Sequence, residues 1–439
     1  MHPPRQRRPA TPEVAEARTR SEDRHWLLVL GALAGVRAAI PLAALAFGGS
    51  IPGFPPYSYQ GPRGDASGYI DTARAIISAG AGLGLLLPVF VGAVVASLVA
   101  ARWGWRRYPN GRHWILAAST AVASCLAAAV ILNLEGQAPA GAVGWPLVLT
   151  IPLLPFRLVG WIDNEVAVGV GIAIAILATA VTIYAMAFIG YRLTGSRGVG
   201  TTAAALFAFW PFLIWLLLGE QTWENSAWEI EAGLELYTEP FSTACVASGF
   251  ALMLVRRRPQ WAVVGAGVAL GYAIAVRPTN IVFAGAAALL LAYERDWRDV
   301  ARFVVGGLTV LPIVLAFLPK KRGYDLELVR DETGLPLWSN DYLLSTFTES
   351  SVWRPLLLAL LLPLVAIGVA TLSCRRFGLM LLGGALANAA VYSFFRATFE
   401  HPRYLHAALP SLLVLWAAGA AWLAEHVPRR RRLAQVRSS

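Results

Sequence analysis

Five short segments of the chain gather the side chains able to do chemistry. In the first, Ile51 to Ile77, a Pro/Gly-rich half runs to Gly64, and Asp65, Tyr69, Asp71 and Arg74 follow. A carboxylate at Asp65 within hydrogen-bond reach of a hydroxyl could serve as a general base, and partial burial would raise its pKa toward that task. Its plainer role is a helix N-cap. From Ala66 onward Tyr69, Ile70, Ala73, Ile76 and Ile77 recur at amphipathic spacing, which predicts a short helix lying at a membrane surface. Asp71 and Arg74, three apart, read as a surface ion pair.

The second segment, Gly144 to Phe156, is apolar but interrupted by Pro146, Pro152 and Pro155, which predicts a re-entrant or interfacial stretch. The third, Glu220 to Pro240, carries six glutamates and no basic residue. Of these, Glu231, Glu235 and Glu239 would share one helical face and repel one another unless solvated. Glu239 differs from the rest because it abuts an apolar run and precedes Pro240 at a helix start. The fourth, Arg277-Pro278-Thr279-Asn280, joins two apolar runs, and its arginine is either a snorkelling anchor or an anion site. A planar guanidinium suits phosphate because it offers bidentate, permanently charged hydrogen bonds. The fifth, Phe395 to His406, packs Arg396, Glu400, His401, Arg403, Tyr404 and His406 ahead of the last apolar run. His401 alone reads as a surface histidine; the cluster says more than any member.

The elements that must position these residues are apolar. Of 439 residues 57% are hydrophobic and 14% charged, about half the charge of a soluble domain, which excludes a soluble enzyme. Apolar runs long enough to cross a bilayer recur along most of the chain. Twelve spans are expected, near 26–47, 81–100, 114–132, 165–190, 199–218, 239–255, 261–276, 279–293, 301–318, 353–372, 377–395 and 407–424. The expectation is an all-α polytopic membrane bundle with an interfacial helix in the first outer loop. Residues 1–25 and 426–439 would be basic cytoplasmic tails flanking a bundle over 26–425. The first apolar run is too long for a signal-peptide core, so an uncleaved first helix is expected.

With both termini inside, 25 of the 37 Lys/Arg residues fall on the inner side, as the positive-inside rule requires. The net charge of +11 is therefore a topology signal, not a nucleic-acid footprint. Acids show the reverse bias, with 18 of 26 outside, where the long loops also lie. Function on outer loops held by a helical scaffold follows. Arginines outnumber lysines overwhelmingly, the imprint of a GC-rich, bacterial genome, and the expected location is the bacterial cytoplasmic membrane. Cys125, Cys245 and Cys374 suggest neither a disulfide nor a metal-ligand spacing. Arg37 stands alone inside the first span with no assigned role.

In order and placement these motifs resemble the C-type (GT-C) glycosyltransferases, polytopic enzymes that use polyprenyl-phosphate-linked sugars. The matching residues are Asp65 with Tyr69, Trp145-Pro146, Tyr237-Thr238-Glu239-Pro240, Arg277-Pro278-Thr279 and His401-Pro402-Arg403-Tyr404. The pattern is similar to bacterial members of the protein O-mannosyltransferase, aminoarabinose transferase and PIG-V mannosyltransferase type. The resemblance implies Asp65 as the base that takes the acceptor proton. It implies substrate binding by Tyr69, Glu239, Arg277, His401, Arg403 and Tyr404, with Arg277 and Arg403 on the leaving phosphate. The donor would be a polyprenyl-phosphate hexose such as mannose, the acceptor a protein, lipid or cell-wall glycan, and the product inverted. Relatives often carry a second acid beside the first; here Ala66 follows Asp65, so no metal ligands are assigned, although a divalent metal stays open as cofactor. Two other readings fit a twelve-span chain. A secondary transporter would place charges and broken helices near the midplane, with related halves. A surface-glycan polymerase or ligase would use arginines in a late outer loop, as Lys320, Lys321, Arg322 and Arg330 allow.

Overall fold

A computed structural model describes residues 12–46, 65–82, 102, 105–133, 144–158, 164–210, 238–317, 339, 355–394 and 402–438. Among the described residues every regular element is a helix, as the apolar, strand-poor pattern predicts. Fourteen α-helices are named here: α1 Pro12–Ala46, α2 Asp65–Gly82, α3 Arg112–Leu132, α4 Gly144–Leu158, α5 Asn164–Thr194, α6 Arg197–Ala208 and α7 Glu239–Met253. They continue with α8 Gln260–Val276, α9 Ile281–Tyr293, α10 Trp297–Leu308, α11 Leu311–Phe317, α12 Pro355–Thr371, α13 Arg375–Ser393 and α14 Leu409–Ser438. A 3-10 turn, Pro278–Asn280, links α8 to α9, and another, Pro402–Ala408, leads into α14.

Among the described residues four helical stretches are long and apolar enough to cross a membrane: Pro109–Leu132, Asn164–Thr194, Trp297–Ala316 and Leu405–His426. Shorter apolar helices accompany them at Gly144–Phe156, Gln260–Val276, Pro278–Tyr293 and Leu362–Thr371. The expected span 81–100 lies almost wholly outside the described residues, and those at 199–218 and 353–372 are described in part. Leu28, Leu177, Leu289 and Leu379 are exposed on the bundle surface, where only a lipid solvent makes a leucine face favourable.

The bundle has two ends. Near one, Trp26 donates to Thr201, Arg197 pairs with Asp23, Arg192 donates to the Leu254 carbonyl, Arg258 pairs with Glu294, and Arg376 lies over Tyr293. This is the arginine-rich end. The opposite end gathers the start of α7, the end of α8, the Pro278–Asn280 turn, the end of α13 and the Pro402–Ala408 turn.

Close helix contacts rest on glycine. Added Cβ atoms at Gly267 and Gly306 would run into the backbone of Phe303 and Val264, so α8 and α10 touch main chain to main chain; Gly368 and Gly419 do the same for α12 and α14. Without a hydrophobic drive between helices in lipid, such approaches supply the packing energy. The main core joins α1, α5, α6, α7, α8, α9, α13 and α14 around Phe250, Phe283, Phe377 and Met186.

Residues 144–158, expected to be re-entrant or interfacial, form one short α-helix with Pro152 and Pro155 inside it. Packing holds the helix despite the two missing N–H donors: Trp145, Leu149 and Leu153 are wholly enclosed, and Thr150 Oγ1 donates to the Pro146 carbonyl at 2.8 Å. The first-loop helix also exists, opening at Asp65, but its apolar face is turned into protein. Tyr69, Ile70, Ala73 and Ile77 pack with Trp145, Leu149, Leu153 and Val276, while Asp71 stays outside, 3.7 Å from Arg74.

Candidate functional site

Helix α7 begins at Glu239 because Pro240 fits the first helical turn, where its missing N–H costs nothing and an acid meets the positive end of the helix. Fifteen residues rise only about 22 Å, less than the thickness of a bilayer core, and Glu239 at the start of the helix is buried. Helix α8 packs antiparallel to α7 and ends where Arg277, in extended conformation before Pro278, breaks the helix. These two ends meet. Arg277 Nη2 lies 3.1 Å from Glu239 Oε1, with Glu239 1% and Arg277 15% exposed at the side chain.

The pair is braced on three sides. Thr238 Oγ1 donates to Glu239 Oε2 at 3.3 Å. The Tyr392 ring of α13 lies 6.0 Å from the Arg277 guanidinium, and its hydroxyl is 2.7 Å from Thr279 Oγ1 in the turn after Arg277. Asn280 donates to Ser242 Oγ at 2.7 Å and to the Ala273 carbonyl at 2.8 Å, tying the turn to α7 and α8. A third segment reaches the same place. His406, in the turn before α14, shares a 2.7 Å hydrogen bond with Thr243 Oγ1, one turn along α7 from Glu239. Its ring stacks edge-on against Phe207. Arg37 is 4% exposed, and from Trp26 at the arginine-rich end it rises eleven residues, about 17 Å, along α1.

Helix α2 joins the site through α4. A Cβ at Gly144 would lie 2.8 Å from the backbone nitrogen of Val276, so the start of α4 sits directly on the end of α8, next to Arg277. Tyr272 donates to the Gly144 carbonyl at 2.9 Å, and Trp145 and Tyr272 both flank Phe241 of α7. Tyr69 is buried in this apolar cluster together with Val276, so it seats α2 against the site. Asp65 is the first residue of α2, one turn before Tyr69; its side chain lies outside the described residues, as do those of Arg403 and Tyr404 in the Pro402–Ala408 turn, and all of His401.

Of the residues expected from sequence, Glu239 and Arg277 are thus brought together, and Tyr69 lies in the apolar cluster that includes Val276, the residue before Arg277. Arg277 is no snorkelling anchor: it is paired inside the bundle. Sequence reasoning missed Arg37, Thr243, Asn280, Tyr392 and His406. Arg37 had a signal, a lone arginine inside an apolar run, which in a membrane protein marks a functional or paired charge. Tyr392 and Thr243 had none, because one aromatic and one hydroxyl in apolar helices are ordinary packing. Chemically the arrangement offers a permanently charged fork, a carboxylate and an imidazole in a low-dielectric recess, suited to holding an anionic group beside hydroxyls. Among the described residues no three of His, Cys, Asp and Glu stand close enough to hold a metal ion.

No protein-family description matches the chain, and no curated protein matches it. Among solved structures it is similar to ArnT from Cupriavidus metallidurans bound to undecaprenyl phosphate, at 18% identity and a TM-score of 0.42, covering 63% of this chain and 49% of that one. It is also similar to ArnT from the same organism in the apo state, at 17% identity and a TM-score of 0.43, covering 78% of this chain and 60% of that one. This chain therefore spans between about half and three fifths of the length of those proteins.

Proposed function

We propose that the chain is a membrane glycosyltransferase that moves a hexose, mannose being one candidate, from a polyprenyl-phosphate donor to an acceptor hydroxyl at the outer face of a bacterial cytoplasmic membrane. The observation that carries this reading is the buried Glu239–Arg277 pair, built from two of the segments that resemble GT-C motifs and flanked by a third through His406. A lipid-linked donor explains the recess: the prenyl tail stays in the bilayer between helices while its phosphate meets the guanidinium.

In the reaction the acceptor oxygen attacks the sugar C1, the C1–O bond to phosphate breaks, and configuration inverts. The acceptor proton passes to Asp65, and the leaving phosphate keeps the bonding electrons. Arg277 has five N–H donors, more than one carboxylate engages, so it can hold that phosphate while paired with Glu239. Arg403 would add a second cation, and Glu239, His401 and Tyr404 would orient sugar hydroxyls. The acceptor would be a protein, a lipid or a cell-wall glycan.

The test is transfer from a panel of radiolabelled polyprenyl-phosphate sugars by purified protein in nanodiscs, wild type against Asp65→Asn. Transfer that disappears in a folded variant supports both class and base. Transfer unchanged in the variant leaves the class and returns Asp65 to helix capping. Absence of transfer from every donor, together with solute uptake into proteoliposomes, replaces the transferase by a carrier.

A further inference from the structure

The face of α13 that meets the site continues inward from Tyr392 through Asn388 to Gly384, each four residues apart and so on one stripe of the helix. Both neighbours on the stripe are placed. Tyr392 touches Thr279, and a Cβ at Gly384 would lie 3.0 Å from Phe283 of α9. Asn388 therefore faces the stretch between Thr279 and Phe283, one turn, about 6 Å, deeper than Tyr392.

Asn388 is 0% exposed, and neither its amide nitrogen nor its amide oxygen has a hydrogen-bond partner among the described residues. Asn280, on the facing segment, shows what a structural asparagine looks like here: its amide nitrogen is bonded twice, to Ser242 and to Ala273. Ser411 on α14, which packs against α13, is a second buried group whose hydroxyl has no partner among the described residues. An amide with donor and acceptor both unmet inside an apolar bundle costs free energy that packing alone does not explain.

We propose that Asn388 binds a hydroxyl of the carried sugar and so sets which sugar is transferred, an inference that rests on the transferase reading above. The amide chooses the ligand chemistry. A phosphate offers acceptors and a prenyl tail offers neither, so each would leave the Oδ1 unmet; a sugar hydroxyl is donor and acceptor at once and satisfies both amide atoms with its neighbours. With the phosphate at Arg277, the attached ring would lie about one turn of α13 from Asn388, and because the amide is wholly enclosed, binding requires α13 and α9 to part at this turn.

The experiment compares wild type with Asn388→Leu, which keeps the volume and removes the polar atoms, using hydroxylated donors and their single-deoxy analogues. The expected result is a variant that melts no lower than wild type, transfers the parent sugar with kcat/KM about tenfold lower, and no longer distinguishes it from the one deoxy donor that wild type disfavours. Asn388→Ala gives the same donor comparison if the leucine variant fails to fold. A variant that melts lower while its transfer and its deoxy discrimination match wild type overturns the proposal and leaves Asn388 bonded to interior water. If wild type transfers nothing yet is thermally stabilised by the donor, and the variant is not, the transferase reading falls and the sugar contact stands. If wild type is neither active nor stabilised, both fall.

Discussion

At the arginine-rich end the ion pairs sit at the rim, with Asp23 of the Arg197 pair 55% exposed and Arg258 and Glu294 both partly open to solvent. At the other end the one pair described in the recess, Arg277 with Glu239, is enclosed and braced by a tyrosine and a threonine. Both ends are built from the same residue types. They differ in what the charges cost: a solvated pair loses little hydration and contributes little, whereas a buried pair gives up hydration that its partner must replace. The rim arginines keep part of their hydration, whereas Arg277 depends on its carboxylate partner for what burial removes.

The largest effect should come from breaking the buried pair on one side. Arg277→Ala leaves the Glu239 carboxylate enclosed without its guanidinium, and thermal or denaturant unfolding in detergent should show a loss of about 3–5 kcal/mol. Replacing both partners, as Arg277→Met with Glu239→Leu, should restore most of that stability while abolishing transfer. A double variant that keeps transfer would remove the pair from the site.

Next comes the seat of α4 on α8. Gly144→Val puts a branched side chain against the Val276 backbone and side chain, at 2.8 and 2.9 Å from the first added carbon, so the helix ends must separate. A loss of about 1–3 kcal/mol is expected, with activity falling further than stability because Arg277 is the next residue along. Unchanged melting would mean that α4 shifts freely and does not position the site. A smaller change, Tyr392→Phe, deletes the hydroxyl paired at 2.7 Å with Thr279 while keeping the ring over Arg277. About 1 kcal/mol of stability should be lost, with a modest fall in affinity for the phosphate group.

The contrast between the ends also explains what could be read in advance. The apolar runs and the break at Arg277-Pro278 are local features, and they located helices and the turn between α8 and α9. Glu239 stood out because it is an acid against an apolar run with proline after it, a pattern that survives without knowing any contact. Long-range choices were hidden. The pairing of α7 with α8 that brings Glu239 to Arg277, the tyrosine from α13 and the arrival of Arg37 from α1 depend on which helix faces meet, and nearly featureless apolar helices carry little of that information. In the proline-interrupted run at 144–158 the helix itself was hidden for the same reason: its prolines would break a solvated helix, but packing around Trp145 and Leu149 holds this one together.

The smallest effect is expected at the rim, and it sharpens the comparison most directly. Arg197→Ala removes a guanidinium that pairs with Asp23 and lies 5.8 Å from the Trp26 ring, both partly exposed. Stability should change by about 1 kcal/mol or less, transfer should be unaffected, and the difference from wild type should shrink as salt is raised, because solvated charges are screened. Arg277→Ala in the same series should keep most of its effect at high salt, since a largely buried pair is screened much less than an exposed one. If the two variants respond alike to salt, the enclosed pair is open to solvent and the distinction between topological and functional arginines fails for this protein.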